Sequence, residues 1–210
     1  MTEDRRKVED FSSVEVHDGL HGTITSGPTS VVVKIDSNLQ QYLRTVVSGR
    51  NLDVGGPDDS VGVDMHPSRG HEIRIQSPRF ERIALSGGSD FVANVTPTET
   101  LTLKLSGGSH LNARSVDSKQ VRVSASGGST LNLEGRAPTL TIEGSGGSQL
   151  KSALPAESVE VHAGGATTVE VRATRSIRVH ASGGSRVVVH GHPTEQNVEK
   201  SGGSTVTFVD

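Results

Sequence analysis

Nine histidines offer the widest chemical scope in this sequence, and two of them fall in register. His162 and His180 lie one repeat apart in the same outward column of a predicted strand ladder, and Glu143 and Glu199 flank them in that column. Adjacent strands are about 4.8 Å apart, so two imidazoles and a carboxylate could approach one metal ion. The neighbouring column also mixes cations, hydroxyls and carboxylates. We therefore favour a solvated ladder without a metal over a metal site.

The other histidine pairs do not show ligand spacing. His190 and His192 flank Gly191 near a predicted corner of variable length. His17 and His21 are four residues apart but lie on no predicted helix, so their spacing does not place them on one face. Neither pair is expected to share a metal ion.

Catalytic chemistry is not indicated by any motif. The serines recur in ladders rather than as one distinct nucleophile, and neither a G-x-S-x-G elbow nor a phosphate loop occurs. Calcium-binding β-rolls need an aspartate after the glycines in every repeat, whereas this chain has one at that position in a single repeat, Asp90. An acidic cluster around the Gly-Gly-Pro segment at 55–57 is typical of a solvated turn; its members are Asp53, Asp58, Asp59 and Asp64. We expect that the protein has no catalytic residues, is not an enzyme and binds no cofactor.

A short glycine motif that occurs seven times must position all of these side chains. Successive copies are 20, 20, 19, 19, 18 and 19 residues apart. A period near 20 with two β-type segments per unit is typical of a solenoid, in which each coil buries its apolar face only against its neighbours. The motif is Gly-Gly-Ala-Thr at 164–167 and Ser-Gly-Gly-Ser at 86–89, 106–109, 126–129, 145–148, 182–185 and 201–204.

Alignment of the repeats produces uniform columns. Apolar and polar residues alternate over 121–133, which is typical of a half-buried strand. Glycine permits the backbone conformation and close approach of a tight corner, and serine hydroxyls can bond to nearby backbone there. The predicted structural corner consists of Gly87, Gly107, Gly127, Gly146, Gly165, Gly183, Gly202, Ser89, Ser109, Ser129, Ser148, Thr167, Ser185 and Ser204. A narrowing inward column precedes it: Leu85, Leu105, Ala125, Gly144, Ala163, Ala181 and Lys200.

These columns predict an all-β fold, a single-stranded parallel β-helix with coils of about 19–20 residues. We expect it to be right-handed by analogy with most large parallel β-helices. Composition agrees, because 31% hydrophobic and 2% aromatic residues would fill an ordinary globular core poorly but suffice for a thin column of Val, Leu and Ile. We divide the chain into a disordered N-terminal tail at 1–7, an irregular β-rich part of the solenoid at 8–70 and a seven-coil β-helix at 71–210. Residues 37–43 resemble a capped helical turn.

Charge and hydropathy limit the classes of partner and the cellular locations that this sequence allows. A net charge of −3 gives no electrostatic basis for nucleic-acid binding, and no apolar run is long enough to span a membrane. The absence of cysteine excludes disulfides and thiolate metal sites. Residues 1–7 are polar and precede no apolar segment. The sequence thus predicts either a cytoplasmic protein or one that has lost a signal peptide and resides at the cell surface or in the periplasm.

The N-terminal part also resembles a known family. The matching pattern comprises V-x-x-F-x-x-V-x-V at 8–16, G-P-x-S-V-V-V at 27–33, Asn-Leu at 38–39 and G-x-x-L-x-V at 49–54. In this order, and followed by the repeated Ser-Gly-Gly-Ser, the segments are similar to the head GIN domain family of auto-transporter adhesins. The resemblance implies a β-helical, exported bacterial protein, and it supplies no catalytic residues.

We therefore predict a non-enzymatic β-helix protein of the cell surface or periplasm that serves as an adhesin or a structural scaffold. Its expected partner is a protein or glycan at the cell surface. The alternative is a self-assembling cytoskeletal-type scaffold that resembles bactofilins, and a polysaccharide-binding or polysaccharide-processing protein is more remote. Gln196 and Lys200 occupy inward positions of the last coil, where a polar or charged side chain opposes edge-to-edge growth. We therefore expect a monomer or a small closed oligomer.

Overall fold

The computed structural model describes residues 1–57, 70–95 and 97–210, and all of their strands belong to one wound sheet. No helix occurs in these ranges, so the predicted all-β solenoid is confirmed. The strands are β1 Thr2–Arg6, β2 Ser13–Val16, β3 His21–Ser26, β4 Ser30–Ile35, β5 Arg44–Ser48, β6 Asn51–Gly55, β7 Glu72–Ser77, β8 Arg82–Leu85, β9 Asp90–Asn94, β10 Thr98–Leu105, β11 His110–Ala125, β12 Thr130–Arg136, β13 Thr139–Gly144, β14 Gln149–Ala163, β15 Thr168–Ala181, β16 Arg186–His190, β17 Glu195–Lys200 and β18 Thr205–Val209.

Each repeat coil has one strand before the glycine corner and one after it. The strands before the corner pair in parallel with their counterparts one coil away, as shown by the register of Leu103 with Ile83 and with Val123. The strands after the corner do the same, with Leu111 opposite Phe91 and Leu131. The interior is therefore a column of aligned apolar side chains, each buried by the coils above and below it.

The seven predicted corner glycines stack directly on one another. Their φ angles lie between +62° and +67°, in the left-handed region that favours glycine. A Cβ atom at any of them would come within 2.8–3.1 Å of the backbone of the corner one coil earlier. In most of the corners, the hydroxyl at the fourth position donates a hydrogen bond to the carbonyl three residues before it; in the third coil Ser129 Oγ lies 2.7 Å from Ser126 O. Glycine thus allows the coils to approach, and the hydroxyls satisfy the corner carbonyls.

The structure adds a corner that the repeat did not reveal. Asp18 lies directly beneath Gly87 and has a φ of +66°, and Gly19 follows it at +68°. The strands on either side pair with the first repeat coil, Val16 opposite Leu85 and His21 opposite Asp90. Aspartate is one of the few residues with a Cβ that tolerates this conformation. The repeat pattern of the sequence does not include this coil, because the pair Asp18-Gly19 stands where the other coils have two glycines.

The N-terminal part does not follow the chain order. Parallel strands β6 and β7 stack beneath β2 and β3, although they come later in the sequence. Antiparallel strands then cover this end, because β4 pairs with β7 and β5 pairs with β6. The predicted disordered tail is wrong, since Thr2–Arg6 forms β1 and pairs antiparallel with β4, which gives its backbone groups partners.

Residues 37–42 form consecutive turns, with hydrogen bonds between residues four apart such as Gln40 N to Asp36 O at 3.1 Å, which agrees with the predicted helical turn. The right-handed winding stays a prediction.

Candidate functional site

A concavity runs along the outside of the strands that lead into the glycine corner. We call it the corner groove; it is open, extends over five coils and has a volume of about 740 Å³. It is lined by Ser124, Ala125, Ser126, Glu143, Gly144, Ser145, His162, Ala163, Gly164, His180, Ala181, Ser182, Glu199, Lys200 and Ser201. Backbone, hydroxyl, carboxylate and imidazole groups make up most of this surface.

The small inward column explains why the wall is concave here. Where Leu85 and Leu105 fill the first two repeat coils, the next four coils carry alanine or glycine. At Gly144 even a methyl group would lie 2.6 Å from Cγ2 of Thr167. Small inward side chains therefore let the strand backbone lie close to the opposite side of the corner. The outer surface of the strand is correspondingly nearer to the solenoid axis, which makes it concave.

His162 and His180 form the central rungs of this groove. Their residues are in direct register, and the imidazole rings stack with centroids 4.8 Å apart and planes 9° apart. His180 Nδ1 lies 3.0 Å from a carboxylate oxygen of Glu199, and His162 Nε2 lies 3.2 Å from one of Glu160. Glu143 is the register neighbour of His162 on the other side. Each imidazole is thus held by a carboxylate.

The four predicted metal candidates are brought into one column but do not converge on one point. Among the residues described, no three His, Asp or Glu side chains are placed to hold one metal ion. The stacked rings present their planes to each other, whereas a shared ion needs ring nitrogens directed at it. The column acts in this geometry as a row of hydrogen-bonding groups.

His17 lies at the extra corner, between two carboxylates. Its Nδ1 is 2.5 Å from Asp18 Oδ2, and its Nε2 is 3.1 Å from Asp53 Oδ1. The ring covers Gly55, where a Cβ would overlap it at 1.9 Å. Of the predicted acidic cluster, Asp53 takes part in this contact, and Asp58, Asp59 and Asp64 lie outside the described residues.

His21 does not pair with His17; it packs instead against His71, with ring centroids 3.6 Å apart. This contact joins two segments that are 50 positions apart in the sequence, so the spacing of the histidines gave no sign of it.

A cation–carboxylate cluster lies on the outer face after the corner. Glu170 accepts hydrogen bonds from Lys151 Nζ at 3.2 Å and from His190 Nε2 at 2.9 Å. Partial burial opposes ionisation of Glu170, but these two donors outweigh it and hold the pKa of Glu170 below its ordinary value. The cluster links three successive coils, and His190 is engaged in it rather than in a pair with His192.

A second groove of about 690 Å³ lies at the looser corner, which the sequence marks with prolines. It is bordered by Pro97 and Pro138 and by the ion pair of Lys119 with Glu99, whose atoms are 2.9 Å apart. Both partners of this pair are largely exposed, so they contribute little to stability.

Comparison with known proteins identifies the architecture. The family model "Putative auto-transporter adhesin, head GIN domain" matches residues 10–193. No curated protein sequence matches the chain. No helix in the described ranges is both long and apolar enough to cross a membrane.

Several solved structures have the same fold. A "putative adhesin" from Bacteroides fragilis superposes with a TM-score of 0.86 at 20% identity and covers 99% of this chain and 96% of its own. A "putative adhesin" from Parabacteroides merdae gives a TM-score of 0.72 at 16% identity, with coverages of 100% and 96%. A "putative lipid binding protein" from Parabacteroides distasonis gives 0.71 at 16% identity, also with coverages of 100% and 96%. At these identities the likeness establishes the fold.

Proposed function

Since the chain belongs to the family described as "Putative auto-transporter adhesin, head GIN domain", we propose that it is a non-enzymatic adhesin or structural scaffold that acts at the cell surface or in the periplasm. The observation that carries the proposal is the corner groove, an open surface that repeats similar polar groups over five coils. Solenoids expose extended surfaces of this kind, on which binding is spread over many repeats. Such a surface suits attachment better than turnover of a small substrate.

The spacing of the groove carboxylates supports binding rather than cleavage. Glu143 and Glu199 line the groove and are separated by the rungs of His162 and His180. Three strand spacings correspond to about 14 Å. Glycosidases place their two carboxyl groups about 5–9.5 Å apart, so these two cannot act on one glycosidic bond.

A bead-adhesion experiment tests the function. The purified chain is coupled to fluorescent beads, which are passed under flow over cultured epithelial cells and over a bacterial lawn. We expect bead retention at least about tenfold above that of albumin-coated beads, because contacts repeated on many chains combine by multivalency. Beads that carry the heat-denatured chain serve as the matched control. Equal retention of folded and control beads on both surfaces would contradict the proposal.

Self-assembly is the second candidate, and exposed apolar side chains in the outermost layers favour it. Val46 in β5 is 45% exposed and Phe208 in β18 is 37% exposed. In the described chain β5 pairs only with β6, and β18 only with β16. Open strand edges with apolar side chains are templates for another chain.

Light scattering across the micromolar range distinguishes the two candidates. Lys200 and Gln196 occupy inward positions opposite Ala181 and Ile177 but are exposed in the last coil. Because a partner stacked on this coil would bury them, we expect a constant mass that corresponds to a monomer or a small oligomer. Polymers that grow with concentration and dissolve when residues 204–210 are removed would instead establish the scaffold.

A further inference from the structure

The corner groove presents its polar groups at one regular interval. Its outer column runs in unbroken register through five strands, β11, β13, β14, β15 and β17. The column consists of Ser124, Glu143, His162, His180 and Glu199. The interval between rungs is the strand spacing, which the 4.8 Å between the two stacked imidazoles shows directly. A ligand that matches this surface must be an extended polymer whose own repeat is close to that interval.

The chemistry of the lining favours sugar hydroxyls. Carboxylates accept two hydrogen bonds from neighbouring hydroxyls, and imidazoles and serine hydroxyls donate and accept. The fixed charges that line the groove are the carboxylates of Glu143 and Glu199 and the ammonium group of Lys200. This surface is weakly acidic, so it suits a neutral polymer and repels a polyanionic one.

A peptide fits the same groove poorly. The lining segments of β11, β13, β14 and β15 are hydrogen-bonded to a strand on both sides, so they offer no free edge for an added strand. The fifth strand, β17, pairs within the described chain only with β15, and a strand added there would cross the end of the groove instead of running along it. The apolar lining residues are alanines such as Ala163 and Ala181, whose methyl groups belong to the buried inward column, so the groove presents no large apolar side chain. Peptide interfaces depend on large side chains buried in deep pockets, and this groove lacks such pockets.

We propose that the corner groove binds an extended neutral oligosaccharide along the solenoid axis, with the rungs from Ser124 to Glu199 contacting successive sugars. The inference rests on the proposed adhesin function and specifies its ligand class. The extended pyranose repeat is close to the rung interval, so each successive sugar meets one polar rung of the column. The stacked imidazoles, fixed by Glu160 and Glu199, form the centre of the site.

The full chain is tested on an array of neutral, uronic-acid and sulfated oligosaccharides and of peptides. We expect binding to neutral oligosaccharides that strengthens with length. In the double variant His162→Ala and His180→Ala the affinity should fall at least about tenfold, the effect of losing one or two hydrogen bonds. The isosteric double variant Glu143→Gln and Glu199→Gln keeps the shape of the groove and should weaken binding with less risk to folding.

His110→Ala and Glu134→Gln are the matched controls, because both side chains are exposed and lie outside the groove. They should retain binding within about twofold, as expected of surface changes. Binding only to polyanions or to peptides, or neutral-glycan binding unchanged in both groove variants, would overturn the assignment. If the beads adhere to cells but no neutral glycan binds, this inference fails and the adhesin function stands. If groove-dependent glycan binding occurs without bead adhesion, the adhesin function fails.

Discussion

Gly135→Ala should destabilise the chain by about 3 kcal/mol or more, because the added methyl group has no room and the backbone is strained. Gly135 has a φ of +134°, a conformation that alanine rarely adopts. Its Cβ would lie 2.0 Å from the carbonyl oxygen of Val116 and 2.5 Å from the amide nitrogen. These atoms belong to the neighbouring coil, so the two strands would have to separate.

The measurement is a thermal melt followed by circular dichroism, in which we expect a loss of about 6–12 °C for a domain of this size. Gly128→Ala is the matched control. Gly128 has a φ of +78°, but a Cβ there would meet no atom within 4 Å. Strain alone should then cost about 1–2 kcal/mol. Equal losses in the two variants would show that contact with Val116 is not what requires glycine.

Gly127→Val should have an effect of similar size at the glycine corner. A Cβ at Gly127 would lie 3.0 Å from the amide nitrogen of Gly107 and 3.5 Å from its Cα, and the φ angle is +64°. Valine is β-branched and disfavours this conformation more than alanine does. Strain and crowding together should cost about 3 kcal/mol or more, and the coils on both sides should lose protection in hydrogen exchange.

Gly184→Val provides the comparison within the same motif. Gly184 is not in the left-handed region, and the nearest atom to a Cβ there is Gly165 O at 3.8 Å. We expect a change within about 1 kcal/mol. A melting temperature of Gly127→Val that equals that of the native chain would refute the crowded corner.

The sequence by itself determined the repetitive part of this protein. A repeated corner motif at a spacing of 18–20 residues forces equivalent residues into register. The inward columns of Leu, Val and Ile, and the glycine and serine ladders, could therefore be assigned without coordinates. His162, His180, Glu143 and Glu199 were placed in one column for the same reason, and they do occupy successive rungs. Periodicity works here because each coil contacts chiefly its neighbours.

Only the tertiary structure decided the features that break the period. Strands β6 and β7 lie beneath β2 and β3 in parallel, out of chain order, and residues 2–6 pair antiparallel with β4. These pairings join distant segments that share no repeat, so the sequence pattern gives no sign of them. The corner groove, the stacking of the two imidazoles and the close contact at Gly135 depend on how far the backbone of one coil recedes toward the next. That distance is set by packing across the interior, for example by the close approach of Gly144 to the Thr167 side chain of the next corner. Such packing joins residues of different coils, so no local sequence pattern encodes it.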